Sequence, residues 1–281
     1  MTKIKTLNGF TVYPSSISAI GRVTFSDDVN LFTPNQIECE AYGYTYNSSI
    51  GVCEAFTPII NLPTALGNLS NKNNGANNTM GIFSQNLSIN GVSNSTLGNN
   101  NNCHINGVGN KIDNGINNST VLGKFGEATS SNSLVLGCNA SGDSVGERQN
   151  ITLMFGTETT NSTVSDSHLN NTTGSFFAIP TNTIIAFQTE TVGVRIGGTG
   201  AGNPGDFKAF IETGVAINES GTLSIDKSRS TIGNAGSTSG WNCDITVSGT
   251  NLVQTVKGAN NRTVMWATTI RMTQIKTGVA L

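Results

Sequence analysis

The residues that could support nucleophilic catalysis are few in this 281-residue chain. Its two histidines, His104 and His168, are candidate bases, but no G-x-S-x-G motif and no triad context accompany them. Cys103 beside His104 suggests a metal or thiolate pair, yet adjacent residues of a strand point to opposite faces. The sequence therefore predicts no hydrolytic triad and no metal site at these residues.

Acidic side chains carry the one enzymatic alternative, which is polysaccharide cleavage by paired carboxylates on a β-helix face. Pairing across the subunits of a trimer would bring two such carboxylates to the required distance. The candidates are Asp113, Glu127, Asp143, Glu147, Glu158 and Asp166. Because they are scattered, we predict a protein that is not an enzyme and has no catalytic, cofactor-binding or metal-binding residues.

Two further patterns resemble ligand sites only superficially. The glycine-rich stretch 197–205 lacks the Lys-Ser/Thr step of a phosphate-binding loop, so it predicts a long hairpin loop. Acidic residues at Asp27, Asp28, Asp143 and Asp166 do not have the spacing of a dedicated calcium loop. We interpret them as solvated turn carboxylates.

Charge is unusually scarce, since 11% of residues are charged against roughly 25% in ordinary soluble domains. A net charge of -2 provides no footprint for a nucleic-acid backbone, so no nucleic-acid partner is expected. No apolar run reaches the length of a membrane span, and the first residues lack the apolar run of a signal peptide. Neither membrane insertion nor secretion by a signal peptide is therefore expected.

The cysteines are odd in number, widely spaced and free of any C-x-x-C motif. They predict small apolar fillers in a chain made in a reducing cytosol. They are Cys39, Cys53, Cys103, Cys138 and Cys243.

Three regions differ in composition. Residues 1–65 predict a small β domain, and TPIINLPTALG at 57–67 has the prolines of a linker. Residues 66–170 are rich in Asn, Ser, Gly and Thr, and predict a β-roll or β-helix of about six coils of about 14 residues. Its repeats NSTLG, NNSTVLG, SNSLVLG and NITLMFG end in Gly98, Gly123, Gly137 and Gly156.

Such thin coils have few large apolar residues, which favours lateral association of several chains. A low-complexity tether is the alternative for this region. Residues 171–281 contain longer alternating strands that predict an antiparallel β-sandwich, with Trp241 and Trp266 as packing residues. No helix of ten or more residues is predicted anywhere.

One repeat, VLGKFGEATSSNSLVLGCNASGDS at 121–144, resembles the head repeat of YadA-like trimeric adhesins. The matching positions are Asn132, Ser133, Leu134, Leu136 and Gly137, followed by Ala140 and Gly142. The C-terminal hundred residues resemble a module of phage fibre and spike proteins, through AIPTNTIIAF and WATTIRMTQI. The two resemblances span about residues 80–281, and they imply a trimeric left-handed β-roll followed by a C-terminal sandwich.

The sequence lacks the secretion signal, coiled-coil heptads and membrane anchor of the adhesins, which favours a phage over a bacterial surface. The resemblance implies a structural virion protein made in the host cytoplasm, a homotrimeric fibre or spike that binds host-surface or environmental glycans. Residues 1–65 are expected to dock onto other virion proteins of the tail or capsid. The alternatives are a head-decoration fibre or assembly component without a receptor, and a polysaccharide-degrading tailspike.

Overall fold

A computed structural model of the protein describes residues 4–5, 11–18, 21–55, 71–140 and 143–277. The predicted all-β fold class is confirmed, since only about 2% of the chain is helical. Two compact units divide the chain, one of residues 1–66 and one of residues 67–281. The predicted linker at 57–67 lies within 56–70, outside the described residues. The division into domains 1–65, 66–170 and 171–281 stays a prediction.

The first unit contains a four-stranded antiparallel sheet, a short helix and a two-stranded hairpin. Its helix begins with a capping box, in which Asn35 and Glu38 each accept a hydrogen bond from the other's backbone N–H. Val12, Val23 and Phe25 form its small core with two cysteines. The elements are β1 (Ile4–Lys5), β2 (Thr11–Ile17), β3 (Val23–Ser26), β4 (Leu31–Phe32), α1 (Gln36–Ala41), β5 (Thr45–Asn47) and β6 (Val52–Glu54).

The cysteine prediction is wrong for two of these residues, because Cys39 of α1 and Cys53 of β6 form a disulfide. Both are fully buried, and a unit with so few core residues gains much from such a covalent link. Cys138 is exposed and is therefore no core filler either, whereas Cys103 and Cys243 are buried as predicted.

The second unit begins with a β-solenoid of about four turns. Five strands stack in parallel on one face, and three short strands stack in parallel on another. The long strands are β7 (Lys72–Ala76), β8 (Ser88–Val92), β10 (His104–Val108), β12 (Thr120–Lys124) and β14 (Leu134–Cys138). The short strands are β9 (Ser95–Thr96), β11 (Lys111–Ile112) and β13 (Glu127–Ala128).

The coil length differs from the prediction. Paired positions step from 72 to 88, 104 and 120, which makes 16 residues per coil, and only the last step to 134 has 14 residues. Of the four predicted closing glycines, Gly123 and Gly137 pair with each other in the stack. Gly98 lies between strands of the coils, and Gly156 lies in a later antiparallel strand. The repeat NITLMFG is therefore not a coil, and six coils were too many.

Asparagine forms many of the corners of the solenoid. A residue with positive φ recurs at the same point of successive coils, as at Asn86, Asn102, Asn118 and Asn132, where φ is 52° to 57°. Asparagine tolerates this left-handed conformation better than most residues with a side chain. Along this corner, the Asn86 amide donates to Asn102 at 3.0 Å, and that of Asn102 donates to Asn118 at 3.1 Å. The corners therefore account for part of the high asparagine content.

A second asparagine column lies inside the solenoid, where Asn94 and Asn110 are fully buried. The Asn94 amide donates to the carbonyl of Gly107 at 2.9 Å, and its Oδ1 accepts the backbone N–H of Asn110 at 3.0 Å. Asn110 repeats both bonds one coil later, with Gly123 and Gly126. These side chains satisfy buried backbone groups that the corners would otherwise leave without partners.

A single chain supplies its own core in the solenoid. Ile89, Ile105, Val121 and Val135 occupy paired positions of successive long strands and are buried, and Ile112 is buried beneath the short strands. This core continues into the strands that follow. The inward apolar side chains of the coils are thus buried within one chain, whereas outward ones such as Leu134 and Leu136 stay exposed.

After β14 the pairing becomes antiparallel, and the long-strand sheet of the solenoid continues in the order β14, β15, β23, β18, β19, β20. A smaller sheet of four strands packs on it with a shared core. The strands are β15 (Arg148–Thr159), β16 (Val164–Leu169), β17 (Phe177–Ala178), β18 (Thr183–Gly197), β19 (Phe207–Glu219), β20 (Thr222–Ala235), β21 (Asn242–Ser248), β22 (Asn251–Lys257) and β23 (Thr263–Lys276). The YadA-like repeat and a separate C-terminal sandwich module stay predictions.

Trp241 and Trp266 are buried in this region, as predicted, and their rings lie 5.7 Å apart. The glycine-rich stretch connects β18 to β19, as expected for a hairpin loop. Arg195 holds it in place, because its buried guanidinium donates to the carbonyls of Gly197, Gly198, Gly200 and Ala201 at 2.9 Å each. No helix among the described residues is long and apolar enough to cross a membrane.

Candidate functional site

Two of the six candidate carboxylates meet on the solenoid. Lys111 of β11 lies between them, with its Nζ 2.8 Å from Asp113 Oδ1 and 2.7 Å from Glu127 Oε1. The coil repeat explains the pairing, since Lys111 and Glu127 occupy equivalent positions of adjacent coils. Both carboxylates therefore come from one chain, and pairing across subunits is not needed to bring them together.

The charge of Lys111 is stabilised by this arrangement. Burial acts to lower the pKa of the Lys111 ammonium, but hydrogen bonds to Asp113 and Glu127 and their negative charges raise it above its ordinary value. Lys276 lies 4.0 Å from Glu127 Oε2 and adds a second positive charge. The two carboxylates are consequently matched by two lysines in one cluster.

The other four candidates lie apart. Asp143 forms an ion pair with Arg148, and Glu147 follows it in the turn before β15. Glu158 is exposed on β15, and Asp166 is exposed on β16. Sequence reasoning thus named six residues, of which the solenoid brings two together.

The structure also shows the contacts of Cys103, the two histidines and Asp27. Cys103 faces inward, where burial raises the pKa of its thiol, while His104 faces outward, so the two side chains do not form a pair. His168 Nδ1 accepts the backbone N–H of Gly174 at 3.3 Å. Asp27 accepts the N–H groups of Asn30 and Val29, which lowers the pKa of its carboxyl as expected for a turn carboxylate. Among the described residues, no group of three or more His, Cys, Asp or Glu side chains could hold a metal ion.

A charge cluster that was not predicted from the sequence lies between β19, β20 and β21, and Glu212 is its buried member. Glu212 of β19 has a fully buried carboxylate, 3.9 Å from Lys227 Nζ of β20. Asp244 of β21 lies 2.6 Å from the same Nζ, and Arg229 NH1 lies 3.6 Å from Asp244 Oδ1. The available signal was an acidic residue at an inward position of the alternating strand β19.

A shallow cavity of about 510 Å³, mostly open to solvent, lies beside this cluster between β18, β19 and β20. It offers hydroxyl and carboxylate groups next to apolar ones, and the hydroxyls of Thr213 and Ser228 lie 3.4 Å apart. Gly214 leaves space there, since an added Cβ would lie 2.8 Å from Phe187 Cζ. The cavity is lined by Ala186, Phe187, Thr213, Gly214, Val215, Asp226, Lys227 and Ser228.

Three solved phage proteins resemble the chain in structure. The tailspike of Acinetobacter baumannii phage AM24 has 10% identity and a TM-score of 0.29, and the match covers 75% of this chain and 50% of that one. The tailspike gp49 of Acinetobacter baumannii bacteriophage Fri1 has 5% identity and a TM-score of 0.25, with coverages of 66% and 39%. The tailspike of Acinetobacter phage vB_ApiP_P1 has 12% identity and a TM-score of 0.20, with coverages of 72% and 49%. This chain thus spans half or less of their length. No family model and no curated protein matches it.

The prediction that the chain is not an enzyme is wrong. The Fri1 tailspike, one of the three similar structures, is described as a capsular polysaccharide depolymerase.

Proposed function

We propose that this chain is a subunit of a phage tail spike or fibre, in which three copies associate and the outer part binds host-surface glycans. The proposal rests chiefly on one surface, which we call the outward band. It consists of the solvent-facing residues of β14, β15 and β23 and of the second half of β18, residues 190–197. Many are large and apolar, and most are about half exposed: Leu134, Leu136, Met154, Val192, Ile196, Met265 and Ile275.

Strand register places these side chains on one face. Val192 pairs with Ala267, and Val194 with Met265, across β18 and β23. Met154 pairs with Thr269 across β15 and β23, on the same side of the sheet. A contiguous apolar face of this kind is typical of a protein–protein interface rather than of a free surface.

Copies of the same chain are the partners that the band fits best. It is poor in charge, so a strongly charged partner would find little complementarity. Its charges are two of each sign, which suits self-association in a closed symmetric oligomer. They are Arg148 and Glu158 of β15, Glu190 of β18 and Arg271 of β23. In this assembly the first unit would dock onto other tail or capsid proteins of the virion. The chain itself would be made in the host cytoplasm.

The cavity beside β20 is the candidate glycan site. Sugars are bound through hydrogen bonds from their hydroxyls to carboxylates and hydroxyls, which Asp226, Thr213 and Ser228 supply there. Three copies would present three such cavities, and multivalency would strengthen weak binding.

Replacing Asp226 with alanine tests this site. The variant removes a charged acceptor, so binding to purified host capsular polysaccharide or lipopolysaccharide is expected to weaken about tenfold or more. Co-sedimentation with the polysaccharide measures it. The matched control is Asp166→Ala, at an exposed acid on β16 outside the cavity. Equal binding by both variants and the original chain would exclude the cavity as the glycan site.

Cleavage of the polysaccharide is the second candidate function, and the pair Asp113 and Glu127 favours it. Both carboxylates lie within 2.8 Å of one Lys111 Nζ, so they are as close as the pair of a retaining glycoside hydrolase must be. One would act as acid and base, and the other as nucleophile.

This candidate predicts that the chain releases reducing ends from host capsular polysaccharide. Asp113→Asn and Glu127→Gln would each lower the rate about 100-fold or more, because each removes a group that the reaction requires. Asp166→Asn would keep the full rate, and thermal unfolding would verify that all variants are folded. Release that persists in both solenoid variants would place the activity elsewhere, and no release at all would leave binding as the function.

A further inference from the structure

The charge cluster between β19, β20 and β21, in which Glu212 is buried and Lys227 and Asp244 are partly exposed, contains the parts of an amide-forming site. Lys227 and Asp244 are in contact at 2.6 Å, between the outermost strand of the large sheet and an edge strand of the smaller one. Glu212 lies 3.9 Å from the same Nζ, and its side chain is fully buried. A lysine amine, a carboxyl and a neighbouring buried acid are the groups from which an amide can form without a cofactor.

We propose that Lys227 and Asp244 become joined by an intramolecular isopeptide bond, with Glu212 moving the proton between them. The Nζ of Lys227 attacks Cγ of Asp244, and a new N–C bond replaces one C–O bond. Glu212 accepts a proton from the attacking nitrogen and returns it to the departing oxygen, which leaves as water. The net change is one amine and one carboxyl converted to one amide and one water, and no oxidant or reductant is required.

The surroundings of Glu212 suit this role. Burial raises the pKa of Glu212, and the Ile245 N–H and the Lys227 charge offset this only in part. Its Oε1 accepts the Ile245 N–H at 3.2 Å, and its Oε2 lies 3.8 Å from Cys243 Sγ. Burial also raises the pKa of Cys243 to about 12, so the neighbouring thiol is neutral. Glu212 is therefore more readily protonated than an exposed glutamate, and its carboxyl lies 3.9 Å from the Lys227 amine.

The strand geometry directs Lys227 to this place. Lys227 pairs with Gly214 across β19 and β20, and Arg229 pairs with Glu212. A side chain at Gly214 would collide, since an added Cβ would lie 2.8 Å from Lys227 Cβ and 2.4 Å from the Asp226 carbonyl. Arg229 donates to the Cys243 carbonyl and lies 3.6 Å from Asp244, which fixes β21 beside β20. The bond would fasten the two sheets to each other.

The solenoid cluster has the same residue types and serves as the internal control. Lys111 contacts Asp113 and Glu127 as Lys227 contacts Asp244 and Glu212. The two clusters differ at the glutamate, because Glu127 is partly exposed, whereas Glu212 is fully buried and so is shielded from water. No amide is expected there.

Intact-mass spectrometry of the purified chain tests the proposal. After reduction of the Cys39–Cys53 disulfide, the expected mass is one water below that of the sequence. Peptide mapping should find the segments containing Lys227 and Asp244 joined. Lys227→Arg should show no loss, and Lys111→Arg should retain the loss of one water relative to its own sequence. Asp244→Asn should lose ammonia instead of water and so reach the same final mass as the original chain.

Glu212→Gln separates the role of the acid from that of the two joined residues, since it keeps the shape of the side chain but cannot transfer the proton. It should leave Lys227 and Asp244 unjoined. If the original chain showed no loss of water from the mass of its sequence, the proposal would be overturned, whatever the variants do. A joined product in Glu212→Gln would overturn the role of Glu212.

Discussion

Replacing Gly107 with alanine is expected to destabilise the solenoid by about 4 kcal/mol or more, at the upper end of single-residue effects. Gly107 stacks on Gly123 of the next coil, and an added Cβ would lie 1.8 Å from the Gly123 carbonyl oxygen and 2.9 Å from Asn110 Nδ2. Its φ of 138° is also strained for any residue with a side chain. Because the obstacle is backbone, no side-chain rotation relieves it, and the coils would have to separate.

Urea denaturation followed by circular dichroism measures this effect. The matched control is Gly115→Ala, where φ is 74° but an added Cβ meets no atom within 4 Å. Gly115→Ala should lower the free energy of unfolding only by the cost of a left-handed backbone at alanine, about 1 to 2 kcal/mol. Equal losses in the two variants would mean that positive φ, and not the close stacking of Gly107 on Gly123, sets the requirement for glycine.

Replacing Met265 with glutamate is expected to separate the proposed trimer into folded single chains. Met265 lies in the outward band with 52% of its surface exposed, so a charge there is tolerated in one chain. In a trimer the same change would bury three uncompensated charges, each of which costs several kcal/mol. Light scattering should therefore report a mass near 29.3 kDa with an unchanged circular dichroism spectrum.

Ile232→Glu is the control for this variant. Ile232 is 60% exposed on β20, outside the outward band, so its replacement should leave the mass of the assembly as it was. If Met265→Glu kept the mass of the original assembly, the outward band would not be the interface.

The antiparallel strands were predictable because their apolar residues alternate strictly, as in TIIAFQTETVGVRIG and TVMWATTIRMTQI. Their inward residues are the buried ones, including Trp266. The extent of β20 was harder to predict. Only TLSID has a strand pattern, whereas the strand continues to Ala235 through small and polar residues that pair with β19.

The solenoid period was mispredicted for an identifiable reason. The stacked glycines follow asparagine in KNNGA, SINGV and HINGV, and follow leucine only in the last two coils. A search for Leu-Gly endings therefore found only Gly123 and Gly137 of the stack. The constant step of 16 residues between Gly75, Gly91 and Gly107 was the signal that would have fixed the coil length.

The charged sites could not be predicted, since they depend on contacts between distant strands. Glu212, Lys227 and Asp244 come from three strands in two sheets, and no spacing in the sequence relates them. Asp113 and Glu127 come together only through the 16-residue coil. The disulfide was missed because Cys39 and Cys53 have no distinctive spacing, and only the helix and hairpin of the first unit bring them into contact.

The solution mass of the original, unmodified chain tests the central claim most directly, because the tail spike or fibre that we propose requires the outward band to be covered by other copies. Multi-angle light scattering should give about 88 kDa, three times the 29.3 kDa of one chain. A stable, folded particle of 29.3 kDa would contradict the trimeric spike. It would leave a single-chain β-solenoid whose outward band needs another partner.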